Sequence, residues 1–365
     1  MKHASLISAA IGFSLVGIIS AATAQSQLVR APSSAPLQVE LAPVADADGQ
    51  QRGQFAVTVR NTGERVARVP KWELPLGDLD ASLFEVQRDG RAVDYVGRLV
   101  KRAAPRAEDY VTLQPGETRQ AQIDLADAYD LSRSGNYTIN LNASLQYAAF
   151  ADGERIQRAD GQPQTVTSAP LTLWLDGRGR AVRNELMAGP QAVVNGINYA
   201  SCSTSQISTI GSAVNSARTY SQNAKTYLNG GSTGARYTTW FGAYNASRYS
   251  TATSNFVNID AAIDQNNGQV TINCGCSDSS YAYVYANQPY QIYVCNAFWS
   301  APLTGTDSKA GTLIHEMSHF TVVAGTSDYA YGQSAAKNLA TSNPARAVKN
   351  ADSHEYFAEN TPAQN

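Results

Sequence analysis

The chain has 365 residues, of which 43% are hydrophobic and 16% are charged, and its formal net charge is -2. This length accommodates two ordinary domains, because a domain typically contains about 100–200 residues. With a charge balance near neutral and no long basic run, the composition argues against nucleic acid as a partner.

The N-terminal segment has the three parts of a secretory signal. Lys2 precedes an apolar stretch that runs from Leu6 to Ala22, and the small residues Ala22-Thr23-Ala24 follow. We expect residues 1–24 to be a signal peptide, cut after Ala24, and the protein to be secreted to the extracellular space. The apolar run is shorter than the roughly 20 residues of a spanning helix, so we expect no membrane insertion after cleavage.

Residues 25–176 have the pattern of a β domain. Short β-rich runs alternate with turn signals from Leu37 to Tyr147. Asp89-Gly90 is a typical hairpin turn, and Pro115-Gly116 separates two further β-rich runs in the same manner. This spacing predicts an all-β, immunoglobulin-like sandwich.

A polar stretch follows this half at residues 177–195. It is rich in glycine and arginine around Gly177-Arg178-Gly179-Arg180 and ends with Gly189-Pro190. Such a composition predicts an exposed linker, which is also an attractive place for proteolytic cleavage.

Residues 196–365 combine helical and β patterns, which predicts a mainly helical α+β domain with a small sheet. One predicted helix ends at Gly230-Gly231, and Thr306-Asp307 is expected to cap another. The first helix has an apolar face of Ile207, Ile210, Val214, Ala217 and Tyr220, a second includes Phe256, Ile259 and Ile263, and β-type runs occupy Gln269–Asn273, Tyr281–Tyr285 and Gln291–Phe298.

All the cysteines lie in this second half, and an even number in an exported protein predicts two disulfides. We do not expect Cys274 to pair with Cys276, because a single intervening residue strains the ring. The cysteines are Cys202, Cys274, Cys276 and Cys295.

The segment His315-Glu316-Met317-Ser318-His319 is an HExxH motif. On a helix, positions i and i+4 share one face, so both imidazoles can bind a single Zn²⁺ ion. Zinc lowers the pKa of water, and Glu316 can take a proton from that water so that it attacks a peptide carbonyl. The motif therefore predicts a zinc-dependent endopeptidase acting on protein or peptide substrates.

The spacing leaves the third zinc ligand open. Once the signal peptide is removed, His354 is the only further histidine that could serve. Gly325 stands where a metzincin would need another histidine, which excludes that class. The carboxylates available downstream are Asp328, Glu355 and Glu359, and spacing does not choose among them.

A second motif resembles a known family. The run from Gly325 to Gly332 is similar to the GTxDxxYG signature of the aspzincins, the deuterolysin-type metallopeptidases, and similarity extends through nearly all of Cys202–Asn365. Within that family the sequence is most similar to the peptidyl-Lys metalloendopeptidases and to secreted bacterial relatives, some of which act as exotoxins. The resemblance implies a zincin-like catalytic domain, with Asp328 as the third ligand and Tyr331 donating its hydroxyl to the oxyanion of the transition state.

The same resemblance implies further properties. Asp352 matches an acidic position in the S1′ pocket of lysine-specific relatives, so lysine is expected at P1′. The implied disulfides join Cys202 to Cys274 and Cys276 to Cys295.

We interpret residues 25–176 as a pro-domain that inhibits residues 196–365 until the linker is cut. Its lysines, Lys71 and Lys101, are candidates to occupy the S1′ pocket, and an arginine near the linker is the alternative. A permanent accessory domain is the competing interpretation. Two other functions stay open: a secreted binding or toxin module with a non-catalytic metal site, and a broader preference for basic residues.

Overall fold

The computed structural model describes residues 36–178 and 192–365. The predicted signal peptide and most of the predicted linker lie outside these residues. In the described part of the chain, no helix is both long enough and apolar enough to cross a membrane.

The first half is built of strands in which buried and outward-facing side chains alternate, because successive side chains of a strand point to opposite faces. In β2, for example, Phe55, Val57 and Val59 are completely buried while Ala56 is exposed. The strands are β1 (Leu37–Val44), β2 (Gln54–Asn61), β3 (Ala67–Pro70), β4 (Phe84–Arg88), β5 (Arg91–Ala92), β6 (Arg98–Lys101), β7 (Tyr110–Leu113), β8 (Thr118–Asp124), β9 (Gly135–Leu145), β10 (Ala149–Phe150), β11 (Gln164–Thr167) and β12 (Leu171–Leu175).

Most of these strands form antiparallel sheets around one apolar core. The sheet orders are β1-β2-β8, β10-β3-β7 and β11-β9-β4-β5, and β12 also pairs with β9. Tyr137, Ile139 and Leu141 of the long β9 are fully buried in this core. The predicted β-rich character is confirmed, whereas the immunoglobulin-like arrangement stays a prediction.

The two turn signals of this half have different outcomes. Asp89 and Gly90 have φ values of 49° and 77°, and they connect β4 to β5 as the predicted hairpin. The strands on either side of Pro115-Gly116 do not pair, so that part of the prediction is wrong. β7 pairs with β3 and β8 with β2, because the chain changes sheets at this turn.

The second half is an α+β structure, as predicted. The strands are β13 (Ala192–Val194), β14 (Ile197–Ala200), β15 (Thr271–Asn273), β16 (Ala282–Tyr285) and β17 (Gln291–Val294). The helices are α1 (Thr204–Asn229), α2 (Ala235–Phe241), α3 (Ala246–Ile263), α4 (Asn296–Ser300), α5 (Lys309–His319), α6 (Gly332–Ser342), α7 (Pro344–Ala347) and α8 (Ala351–Glu359). Strand β13 shows that regular structure begins within the segment predicted as linker.

The sheet and the helices of this half share one core. Strands β14, β15 and β17 run parallel, and β16 is antiparallel to β17. Buried residues of α1, α3, α5 and α8, such as Ala217, Ile259, Ile314 and Phe357, pack in the same cluster as Ile272 of β15. Helix α5 is therefore held on several sides.

The cap of α5 differs from the prediction. Ser308 is the N-cap residue, and its Oγ accepts a hydrogen bond from the backbone N–H of Gly311 at 2.9 Å. Asp307 instead has a positive φ of 52°, and its carboxylate turns toward Lys101. The predicted run Gln291–Phe298 also ends early, because α4 begins at Asn296.

The two disulfides are Cys202–Cys274 and Cys276–Cys295, the pairing that the family resemblance implies. The second lies next to the edge strand β16, since Cys295 donates its backbone N–H to the carbonyl of Tyr281 at 2.8 Å.

One strand of the first half belongs to the sheet of the second. β6 pairs antiparallel with β16, with Lys101 opposite Ala282 and Arg98 opposite Tyr285. The sheet order is therefore β13-β14-β15-β17-β16-β6. The first half thus extends the sheet of the second half beyond β16 with four of its own residues, Arg98–Lys101.

Candidate active site

Helix α5 brings the two motif histidines to one point. His315 and His319 are completely buried one helical turn apart. The chain turns back after the helix at Gly325, where φ is 58°. This turn brings Asp328 Oδ1 within 3.2 Å of His315 Nε2 and 3.4 Å of His319 Nε2.

These three side chains fit a zinc ion. Ligands about 2.0–2.1 Å from a tetrahedral zinc are separated from one another by about 3.3 Å, which agrees with both distances. Both Nε2 atoms and both Asp328 oxygens are buried and have no hydrogen-bond partner. Buried polar atoms normally have partners, so these unpartnered nitrogen and oxygen atoms fit a metal cation. Two imidazoles and one carboxylate would leave a fourth position open.

Outer contacts orient both imidazoles. His319 Nδ1 donates to the carbonyl of Thr326 at 2.9 Å, which leaves Nε2 as the lone-pair nitrogen. His315 Nδ1 lies 2.8 Å from Asp352 Oδ1, and the other Asp352 oxygen accepts the backbone N–H of Gly332 at 2.6 Å. Such carboxylate and carbonyl contacts are typical of metal-binding histidines.

Glu316 follows His315 on the same helix, and both of its carboxylate oxygens are buried and unpartnered. Burial raises its pKa to about 7, although the nearby His315 and His319 act in the opposite direction. A carboxylate with this pKa can both accept and return a proton near neutral pH.

Tyr331 lines a cavity of about 1200 Å³ that also borders His319 and Asp328. Burial, together with the negative charge of Asp328, raises the pKa of Tyr331 well above its usual value. Its hydroxyl is therefore a proton donor rather than a phenolate, as the predicted oxyanion contact requires.

The other ligand candidates lie elsewhere. Both ring nitrogens of His354 have partners, the carbonyl of Asn350 at 2.8 Å and the amide of Asn255 at 3.0 Å, and burial lowers its pKa to about 4. Glu359 accepts the backbone N–H of Ser308 at 2.8 Å. Of the three carboxylates that spacing left open, Asp328 is the one beside both Nε2 atoms.

Glu355 lies on the opposite side of His315, where it helps to form an acidic pocket around Lys101. Lys101 is 1% exposed, and its Nζ lies 2.7 Å from Glu355, 3.2 Å from Asp307 and 3.8 Å from Asp352. Burial would lower the pKa of Lys101, but the charges of these carboxylates hold it well above its usual value. The ring centroid of Tyr281 is 5.0 Å from the ammonium.

The pocket refines the predicted role of Asp352. This residue borders the pocket, but its Oδ1 lies nearer to His315 than to Lys101, and the shorter contacts to Lys101 come from Glu355 and Asp307. The sequence pattern did not assign these two to the pocket. Glu355 could have been found, because it lies three residues after Asp352 on one helix face. Asp307 carried no comparable signal.

The first half also contacts the loop that carries Asp328. The side chain of Gln146 donates to the carbonyl of Tyr329 at 3.1 Å and accepts the backbone N–H of Tyr331 at 2.9 Å. The cavity beside the histidines is walled on this side by residues of the first half, including Tyr95 and Tyr147. Both halves therefore enclose the site.

Several known proteins are similar to this chain. A family model described as "Lysine-specific metallo-endopeptidase" matches residues 226–359. An extracellular protease of Aeromonas hydrophila is 45% identical over 313 residues, covering 85% of this chain and 88% of that protein. A peptidyl-Lys metalloendopeptidase of Pleurotus ostreatus is 49% identical over 167 residues, covering 45% and 98%. The solved structure of a zinc peptidase from Grifola frondosa has 48% identity and a TM-score of 0.43, covering 45% and 100%.

The match to the Aeromonas protein extends over most of both chains, so it includes more than the two short motifs. The family model covers the HExxH helix, the Asp328 loop and the acidic pocket of α8. The chain therefore belongs to the aspzincin (M35) family and is a zinc metalloendopeptidase.

Proposed function

We propose that this protein is a secreted endopeptidase, made as a latent precursor, that cuts peptide bonds on the amino side of lysine. The observation that carries the proposal is Lys101, an internal lysine buried in the acidic pocket beside His315. Secretion is supported by the N-terminal pattern and by the extracellular protease of Aeromonas hydrophila.

Strand β6 supports the proposal because it has the form of a bound substrate. An extended peptide can bind a protein by adding a strand to an exposed sheet edge, with its side chains filling pockets. Arg98–Lys101 pairs with the edge strand β16 in this way, and the Lys101 side chain fills the acidic pocket. If Lys101 stands for the P1′ residue, the bond that corresponds to the scissile one joins Val100 to Lys101.

The catalytic roles follow from the positions of the side chains around the two histidines. His315, His319 and Asp328 would hold zinc, which would supply Lewis acidity to the scissile carbonyl and to the attacking water. Glu316, buried and unpartnered, takes the proton from that water and returns it to the leaving amine. Tyr331 donates its hydroxyl to the oxyanion. Asp352 orients His315 and so acts through it.

Lysine preference follows from the charge of the pocket. Asp307, Asp352 and Glu355 surround one position, and burial raises the pKa of Glu355 even with Lys101 beside it. Buried carboxylates without a cation are costly, so the pocket favours a side chain that brings an ammonium. A compact ammonium on a flexible stem can enter a narrow pocket in which the planar arginine fork needs more room.

Latency follows from the same contacts. β6 and the Gln146 contacts block the cleft from within the chain, and tethering gives the blocking segment a high effective concentration. Residues 25–176 are thus the proposed pro-domain, residues 177–195 the maturation region and residues 196–365 the catalytic domain.

Digestion of a peptide library by the matured enzyme tests substrate preference, with the cuts mapped by mass spectrometry. We expect most cuts to precede lysine.

Glu355→Gln should lower kcat/KM on lysine peptides by about 10–100-fold while zinc is retained, because Asp352 is nearer to His315. In contrast, Asp352→Asn should weaken zinc binding by about 10–100-fold. Cuts distributed without regard to lysine would contradict the proposal.

Replacement of Asp328 tests the zinc site. Asp328→Ala removes one of three ligands, so zinc affinity should fall by more than about 100-fold. Zinc content after dialysis against a chelator series provides the measurement. Asp264→Ala, an exposed carboxylate paired with Arg218, is the matched control and should keep its zinc. Retained zinc in Asp328→Ala with loss in Glu355→Ala would favour Glu355 as the third ligand instead.

A further inference from the structure

The side chain of Arg98 occupies a second recognition site on the catalytic half. Its Nη2 lies 2.6 Å from Asp278 Oδ2, and its guanidinium carbon is 3.9 Å from the ring centroid of Tyr283. Charge-assisted hydrogen bonding and cation–π contact thus act on the same group. Asp80 of the first half also approaches Arg98, at 3.6 Å, but it would leave together with the first half.

Contacts within the catalytic half hold both residues of this site in place. Asp278 Oδ1 accepts hydrogen bonds from the backbone N–H and the hydroxyl of Ser280. The ring of Tyr283 stacks in parallel on Tyr293 with centroids 4.6 Å apart. The disulfide Cys276–Cys295 ties the loop of Asp278 to the end of β17.

The charge of Asp278 suits a cationic ligand. Burial tends to raise its pKa, but the Ser280 hydrogen bonds and the Arg98 charge outweigh burial and hold the pKa below its usual value. The carboxylate is therefore ionised near neutral pH.

The register of β6 relates this site to the acidic pocket. Side chains of a strand alternate between two faces, so Arg98 and Val100 face one way while Leu99 and Lys101 face the other. With Lys101 at P1′, the residue at P1 is Val100, at P2 is Leu99 and at P3 is Arg98. Arg98 thus lies three residues before the proposed scissile bond.

We propose that Asp278 and Tyr283 form an S3 subsite that selects a cationic side chain at P3 of the substrate. This inference rests on the proposed function, because it takes β6 as the image of a bound substrate. It extends recognition from one lysine to a pair of basic residues separated by two positions. Lysine-rich and arginine-rich segments of target proteins would be cut in preference to isolated lysines.

Short peptides with the sequence Xaa-Leu-Val-Lys at P3 to P1′ test the subsite. The enzyme is the matured protein obtained from the full chain, and Xaa is arginine, lysine, alanine or glutamate. We expect kcat/KM to be about fivefold to tenfold higher for arginine than for alanine, a moderate effect because the Asp278 side chain is 43% exposed. Glutamate should be the poorest residue at P3.

Two variants test whether Asp278 is the source of the preference for arginine at P3. Asp278→Asn keeps an oxygen that can accept the Ser280 hydrogen bonds but removes the charge, and it should reduce the arginine-to-alanine ratio to about twofold or less. Asp264→Asn, an exposed carboxylate of the same half, should leave the ratio unchanged. Equal rates for arginine and alanine in the wild-type enzyme, with lysine still required at P1′, would overturn the S3 subsite alone. No cleavage before lysine in any peptide would overturn the proposed function as well.

Discussion

Glu316→Gln should retain zinc and lose nearly all peptidase activity. Glutamine has the size of glutamate but does not accept a proton from water, and general-base catalysis contributes about 10²–10⁴-fold to rate. We therefore expect kcat on lysine peptides to fall by that factor with little change in KM. The fold should persist, because Glu316 makes no hydrogen bond that the substitution would break, and burial already disfavours its charge.

The zinc content of Glu316→Gln checks that the variant retains its metal, and its thermal unfolding checks that the fold persists. Asp264→Asn serves as the matched control, since it removes a carboxylate charge from the same half at a distance from the site. A Glu316→Gln enzyme that cleaves at the wild-type rate would remove Glu316 from the mechanism. If wild-type protein binds zinc but cleaves no peptide, the alternative of a binding or toxin module with a non-catalytic metal site is supported instead.

Lys101→Ala should make the full-length precursor active before the linker is cut. The substitution leaves Glu355, Asp307 and Asp352 without the ammonium that neutralises them, and loss of one partner of a buried ion pair costs about 3–5 kcal/mol. That cost falls only on the closed arrangement, in which β6 fills the cleft. We therefore expect the activity of the uncut chain to rise on the order of 10²-fold.

The matched control is Lys71→Ala. Lys71 is the other lysine of residues 25–176, and it is exposed. Its replacement should leave latency unchanged. The assay is hydrolysis of a lysine peptide by uncut precursor, with a gel to show that the chain is intact. Equal latency in Lys101→Ala and wild type would exclude Lys101 as the blocking residue.

These two variants test different parts of one site. Glu316→Gln removes the general base from the open cleft of the matured enzyme. Lys101→Ala instead opens the cleft that is closed in the precursor. The double variant should be open and inactive. It would therefore bind a lysine peptide that the wild-type precursor excludes, which separates blocked binding from lost catalysis.

The zinc-binding helix could be predicted from sequence because its functional residues lie close together in the chain. His315 and His319 are one turn apart on a helix, so their convergence follows from helical geometry alone. Glu316 is adjacent in the chain. The Asp328 loop returns within nine residues of His319, but spacing left Glu355 and Glu359 as alternatives, and only the family signature favoured Asp328. The structure supplies the physical reason, two short distances from Asp328 Oδ1 to the Nε2 atoms.

The lysine pocket could not be predicted in the same way because its parts are distant in sequence. The sequence makes Glu355 a candidate zinc ligand and Asp307 a candidate helix cap, yet both contact Lys101. No periodicity relates residue 101 to residues 307 and 355. Their contact requires the β6–β16 pairing, which is set by the packing of both halves.

The sequence by itself predicted a secretory signal, a β-rich half before an α+β half and an HExxH helix, and its family signature indicated the chemistry of a zinc endopeptidase. It also reduced the candidates for a blocking lysine to Lys71 and Lys101. Only the tertiary structure chose between them, because both are ordinary lysines in a β-rich stretch and differ in what surrounds them. Lys71 is exposed, whereas Lys101 is buried among three carboxylates supplied by the other half of the chain.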